Sequence, residues 1–176
     1  MTDIATFDRV PAADARELLR ACCGAGRWVE GLLARRPFGE IRALLTAADE
    51  VWQTLGPSDW REAFDHHPRL GESGSATPQD AREREWSSGE QAGVRAAESD
   101  VRASLATANA NYEARFGHIC IICATGLGAG DILTLTEDRL ANEPEEELPI
   151  AAEELRKITR LRLLKLFHDS DKAASA

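Results

Sequence analysis

Asp65-His66-His67-Pro68-Arg69-Leu70-Gly71-Glu72 gathers two imidazoles, two carboxylic acids and a guanidinium in one short run. That density of proton donors, acceptors and charge suits acid–base chemistry. Pro68 has no amide hydrogen and pushes the residue before it towards extended angles, so a preceding helix must end near His66 and leave His67 beyond its last turn. An imidazole there titrates near neutral pH. Three chemistries compete for the run: proton transfer through His67, a helix C-terminal cap that suits His66 better, and a metal site from Asp65, His66, His67 and Glu72. The metal reading has the poorest spacing. Adjacent histidines at a helix end point apart, and neither an i, i+4 histidine pair nor a Cys–His zinc spacing is present.

A second polar group is Ser87-Ser88-Gly89-Glu90-Gln91. Ser87 to Glu90 and Ser88 to Gln91 both have the spacing of a capping box, and a glutamate in a first helical turn is stabilised by the helix dipole whatever else it does. The same helix start exposes unpaired amides, which with a serine hydroxyl and the Gln91 amide form a cradle for an anion or a urea-like group. Capping and binding are compatible here.

Arg162 is the third candidate. At about 100° per residue it falls between Ile158 on one side and Leu155 and Leu166 on the other, on a helix apolar most of the way round. A buried guanidinium costs several kcal/mol unless paired, which calls for an acid or an anionic ligand opposite it. Arg160, near Leu164 and Phe167, poses the same question, and either arginine could instead lie over its own hydrophobic stem. Helical phase does not choose between them.

Cys120-Ile121-Ile122-Cys123 has the Cys-x-x-Cys spacing, with His118 upstream, and Cys22-Cys23 are adjacent. The apolar neighbours of the first pair raise a thiol's pKa and favour buried reduced cysteines over a zinc or redox site.

The elements that must position these residues read as helices. The 176-residue chain is 43% hydrophobic and 29% charged, with one Tyr and five Phe. A chain of this length buries roughly two thirds of its unfolded surface and needs no metal or disulfide to fold, and its Ala, Leu, Glu and Arg residues favour helix. An all-α, single-domain bundle of about seven or eight helices over 1–176 is expected. Pro11 opens a helix that Gly24 and Gly26 close, a short one follows from Arg27 to Arg35, and Ile41, Leu44, Leu45, Ala48, Val51, Trp52 and Leu55 hold the helical period until Gly56-Pro57. Ser58 suits the N-cap of a short helix through Trp60 and Phe64 that delivers the chain to His67. Gly71 to Ser88 reads as a mobile loop or an active-site lid. A long helix from about Ser88 to Arg115 carries Val94, Ala97, Val101, Leu105, Ala108 and Tyr112 on one seam. His118 to Ala124 suits an extended buried segment, followed by helices from about Ala129 to Leu140 and Pro149 to His168.

A net charge of −9 and a pI near 5.0 argue against broad nucleic-acid binding, which needs a basic face, but leave room for an anionic small molecule in a local arginine pocket. Met1 to Val10 has no signal-like apolar core, no run has membrane-spanning length, and Ala174-Ser175-Ala176 is not the Ser-Lys-Leu address. A cytoplasmic protein is the expectation.

Four segments in order, His67-Pro68-Arg69-Leu70-Gly71, Ser87 to Gly93, Asn111 to His118 and Lys157 to Leu163, carry a family resemblance over nearly the whole chain. The chain resembles 2-oxo-4-hydroxy-4-carboxy-5-ureidoimidazoline (OHCU) decarboxylases, which catalyse the last of three steps from urate to S-allantoin. The resemblance implies an all-α homodimer with no metal or organic cofactor. It implies His67 as the catalytic acid/base and Glu90 as its carboxylate partner. Pro68, Ser87, Gln91 and Arg162 would line the substrate site, and backbone groups of Cys120, Ile121, Ile122, Cys123 and Ala124 would bind the ring and ureido amides. At Cys120 the chain departs from the family pattern, which leads to a larger aromatic, often Phe. The competing expectation is a helical ligand-binding or protein-interaction module without chemistry.

Overall fold

A computed structural model of the chain describes residues 3–69, 86 and 99–168. Among them the regular structure comprises eight helices and no strand: α1 (Ile4–Arg9), α2 (Ala12–Cys22), α3 (Gly26–Leu33), α4 (Ile41–Trp52), α5 (Pro57–Asp65), α6 (Ser99–Phe116), α7 (Ala129–Arg139) and α8 (Pro144–His168). The all-α expectation holds. The described residues of 1–63 and 156–176 form one compact unit and those of 64–155 another.

In the first unit the periodic apolar residues of α2, α3 and α4 turn inward. Leu19, Trp28, Val29, Leu32 and Leu44 are fully enclosed, and the Trp28 indole donates to the Ala48 carbonyl at 3.2 Å, so its one polar atom is satisfied inside the core. Gly31 permits the close approach of α3 and α4, because a Cβ there would meet Val51 Cγ1 at 2.8 Å. The helix α1 is an addition to the expected set. Asp3 caps it by accepting from the Thr6 amide at 2.7 Å, and Phe7 packs edge-on against Phe167 with centroids 5.2 Å apart. Six residues carry too short a period to stand out in sequence.

Two helix starts differ from the sequence expectation, both at prolines. Pro57 begins α5, and Asp59 rather than Ser58 supplies the cap, its carboxylate accepting from the Gly56 amide at 2.9 Å. Pro144, not Pro149, begins α8. A proline in the first position gives up an amide that would have no helical partner anyway, whereas Pro149 removes one interior bond and is carried by the helix around it.

The second unit holds the end of α5, then α6, α7 and the first half of α8. Its core gathers Leu105 and Tyr112 of α6, Ile132 of α7 and Cys120, Ile122 and Ala124 of the connection between them. Leu105, Ala108 and Tyr112 bear out the predicted seam of α6; Val94 and Ala97 lie outside the described residues.

Candidate active site

The helix α5 ends at Asp65, one residue before the predicted point. His67 closes a last tight turn, its amide donating to the Phe64 carbonyl at 2.9 Å. His66 is exposed, His67 half-buried and Pro68 buried, so the ring of Pro68 anchors the bend while His67 keeps partial access. Two contacts flank it. Phe64 packs against His118 with ring centroids 5.1 Å apart, and Arg69 grips Glu113 through two parallel bonds of 2.8 and 3.1 Å, the bidentate geometry that suits a guanidinium and a carboxylate.

Beyond α6 the chain turns at Gly117, whose φ of +72° favours glycine over any residue with a Cβ. It then runs without helix through His118 to Ala124. This is the extended buried segment foreseen from the sequence: Cys120, Ile121, Ile122 and Ala124 are buried and Cys123 half-buried. Several of its backbone groups are already held, among them the Ala124 carbonyl, which accepts from the Leu127 amide at 3.0 Å, and the Ile119 carbonyl, 3.0 Å from His118 Nδ1. The Ile121 carbonyl accepts from Arg139 at 2.6 Å, and the Cys123 amide donates to Glu154 at 2.8 Å.

Arg139 belongs to a buried polar group that the sequence reading missed. Its Nε donates to Glu147 at 2.8 Å and its Nη2 to the Tyr112 hydroxyl at 3.2 Å. The Tyr112 hydroxyl donates to the same carboxylate, and Asn142 donates to the other oxygen at 2.7 Å. Burial first, and then the bond to Glu147, push the Tyr112 hydroxyl well above its ordinary range despite the Arg139 charge. For Arg139 burial is the largest influence and favours the neutral form, but the Glu147 bonds together with the electrostatic pull of Cys120, Tyr112 and Glu147 outweigh it, and the guanidinium is held more firmly charged. A signal existed in the sequence: Ala129, Ile132, Thr136 and Arg139 share one helical stripe, as do Glu147, Ala151, Leu155 and Ile158. A charge in a buried register called for a partner.

The second unit thus brings the His67–Pro68 bend and the 120–124 segment onto elements joined by named contacts. Arg162 belongs to the first unit and is 4% exposed. Arg160 is exposed and paired with Asp49 at 3.0 Å, so burial separates the two arginines that helical phase could not. Ser87, Glu90 and Gln91 lie outside the described residues, as does the 71–85 stretch of the expected loop. Burial pushes the Cys120 thiol up to about 11 and the Cys23 thiol likewise to about 11, the behaviour of small core residues rather than ready nucleophiles. Among the described residues no group of three or more His, Cys, Asp or Glu side chains is arranged to hold a metal, and no helix is long and apolar enough to cross a membrane. A shallow recess in the first unit is lined by Trp28, Trp52, Thr159 and the Asp49 ion pairs; of the candidate residues it holds Arg160, the alternative to Arg162, and not Arg162 itself.

These features define an all-α protein that presents a proline-fixed histidine and a short, internally braced backbone segment from one compact unit. The family model described as OHCU decarboxylase matches residues 8–164, and the chain belongs to that family. It is 34% identical over 132 residues to a 2-oxo-4-hydroxy-4-carboxy-5-ureidoimidazoline decarboxylase of Amia calva, covering 73% of each chain. It is 33% identical over 156 residues to the uric acid degradation bifunctional protein TTL of Arabidopsis thaliana, covering 89% of this chain and 48% of that protein. A Bacillus bifunctional protein is 23% identical and one third covered, so the chain spans half or less of these two longer relatives. Among solved structures, an OHCU decarboxylase crystallised in the presence of (S)-allantoin superposes with a TM-score of 0.73 at 30% identity, over 85% of this chain and 96% of that one. An (S)-allantoin synthase, at 17% identity and a TM-score of 0.68, shares the fold.

Proposed function

We propose that this chain catalyses the cofactor-independent decarboxylation of OHCU to (S)-allantoin in urate degradation, as one OHCU decarboxylase-like domain over 1–176. The observation that carries this is the family match, unbroken from residue 8 to 164 and including a half-buried histidine fixed by a buried proline. Breaking the carbon–carbon bond releases carbon dioxide and leaves an electron pair that delocalises into the imidazoline. The reaction therefore needs a held substrate, charge stabilisation and one proton delivered to one face. His67 is the proposed donor and Glu90 the carboxylate that orients and recharges its imidazole. Pro68, Ser87 and Gln91 are proposed to line the substrate, with backbone groups of Cys120 to Ala124 binding its amides. Arg162, buried in its unit, is proposed on the family resemblance to hold an anionic or carbonyl oxygen. The same reading makes the protein a cytoplasmic homodimer that acts on a small molecule and binds neither nucleic acid nor membrane.

The test is incubation with freshly generated OHCU, following the circular dichroism of (S)-allantoin. Formation of the S enantiomer well above the spontaneous, racemising rate is expected. His67→Asn should abolish it while leaving the helical spectrum intact. A wild-type rate no greater than the spontaneous one leaves the helical binding module as the better reading, and an active His67→Asn removes His67 from its role.

A further inference from the structure

The bend that carries His67 is fastened at both ends to one place. Before it, Phe64 packs against His118 at 5.1 Å, and His118 in turn meets Tyr112 at 5.6 Å and Phe116 at 6.2 Å. The His118 Nδ1 lies 3.0 Å from the Ile119 carbonyl, within reach of an Nδ1–H, which fixes the ring's rotation. After the bend, Arg69 makes its two bonds to Glu113. Tyr112, Glu113 and Phe116 are the last turn of α6, and His118 follows the glycine that ends it. A hydrophobic contact on one side and a two-point ion pair on the other leave His67 and Pro68 little freedom to pivot.

We infer that Arg69 and Glu113 are positioning residues, which with the Phe64–His118 ring contact clamp the His67 bend onto the end of α6 and so fix the direction from which His67 delivers its proton. The inference rests on the proposed decarboxylase reading for its kinetic consequence only. The Arg69 side chain is half exposed and Glu113 less than one third, and exposed ion pairs contribute little to folding. The purpose of such a pair at this place is geometric. A catalytic group displaced by about 1 Å loses about a hundredfold in rate, and a partial loosening loses less.

The experiment compares wild type, Arg69→Gln, Glu113→Gln and the exchanged pair Arg69→Glu with Glu113→Arg. Each single variant is expected to keep its melting temperature within a few degrees, to lose about tenfold in kcat with KM within about twofold, and to yield allantoin with a lower S excess per enzymatic turnover. The last readout is independent of how much protein is folded, so a purely structural pair would not move it. The exchanged pair is expected to recover most of the rate and the S excess. Single variants that keep wild-type kcat and S excess overturn the inference. So does an exchanged pair that recovers neither, and so does a rise in KM at unchanged kcat, which would make Arg69 a substrate contact. If wild type itself forms no (S)-allantoin, the decarboxylase reading fails while the clamp is still judged. Nitrogen-15 spectra of the His67 ring must then broaden or shift in Arg69→Gln and return in the exchanged pair, and an unchanged spectrum overturns it.

Discussion

Glu147 and Asp49 each gather more than one cationic or polar partner, but in different surroundings. Glu147 is fully enclosed and takes Arg139, Tyr112 and Asn142 on its two oxygens. Asp49, one third exposed, takes Arg156 at 2.5 Å and Arg160 at 3.0 Å. Distance alone would rank them as equals. Water decides otherwise: around Asp49 it competes for every charge and screens the rest, while around Glu147 each lost partner leaves a buried group with nothing to replace it. The buried group also reaches the candidate site, since Arg139 holds the Ile121 carbonyl; the Asp49 cluster holds two side chains of α8.

The sharpest way to break this contrast is Glu147→Ala, which strands the Arg139 guanidinium. A loss of about 3–5 kcal/mol in unfolding free energy is expected from denaturant titration, and a loss below about 1 kcal/mol would mean that water enters the network. A smaller effect tests whether burial, rather than the charge network, sets the character of each region. Cys120, in the unit that holds Glu147, and Cys23, in the unit that holds Asp49, are both raised by burial from an ordinary 9.0 to about 11. Because each folded-state pKa lies above the unfolded one, the unfolded chain sheds these protons first as pH rises. The stability is complete below about pH 9 and is lost progressively up to about 11. Each thiol contributes roughly 2–3 kcal/mol to that alkaline loss. Cys120→Ala and Cys23→Ala should each flatten the decline by a similar amount, and a flattening confined to one of them breaks the equivalence.

The same distinction explains what the sequence disclosed. The helix α4 was plain because six apolar residues from Ile41 to Trp52 keep the 3.6 period without interruption, although the pattern's seventh, Leu55, lies beyond the helix end, and the end of α5 was plain because Pro68 forbids continuation. The start of α8 was hidden by Pro149, which reads as a beginning although the helix begins a turn and more earlier at Pro144. The Arg139–Glu147 network was hidden for another reason. Glu147 closes the acidic run Glu145-Glu146-Glu147, which reads as favourable charge at a helix start, and only its tertiary partners Tyr112, Arg139 and Asn142 mark the third carboxylate as the inward one. At the candidate site, His67 and Pro68 were legible from the backbone chemistry of one residue. Arg69 and Glu113 were not legible as partners, because 44 positions separate them and no local period links them.

The smallest expected effect is Asp49→Asn, and it is informative through salt. Removing this charge from beside Arg156 and Arg160 is expected to lower stability by less than about 1 kcal/mol. That difference should shrink towards zero at 1 M salt, where the Debye length falls to about 3 Å. Glu147→Ala should keep most of its penalty in the same solution, because mobile ions do not reach an enclosed pair. Denaturation by urea at low and high salt measures all four conditions without adding a denaturant that is itself a salt. A penalty for Asp49→Asn that survives 1 M salt would place Asp49 with Glu147 as a charge bound by its fixed neighbours rather than by the solvent, and the contrast between the two carboxylates would then rest on partner number and not on burial.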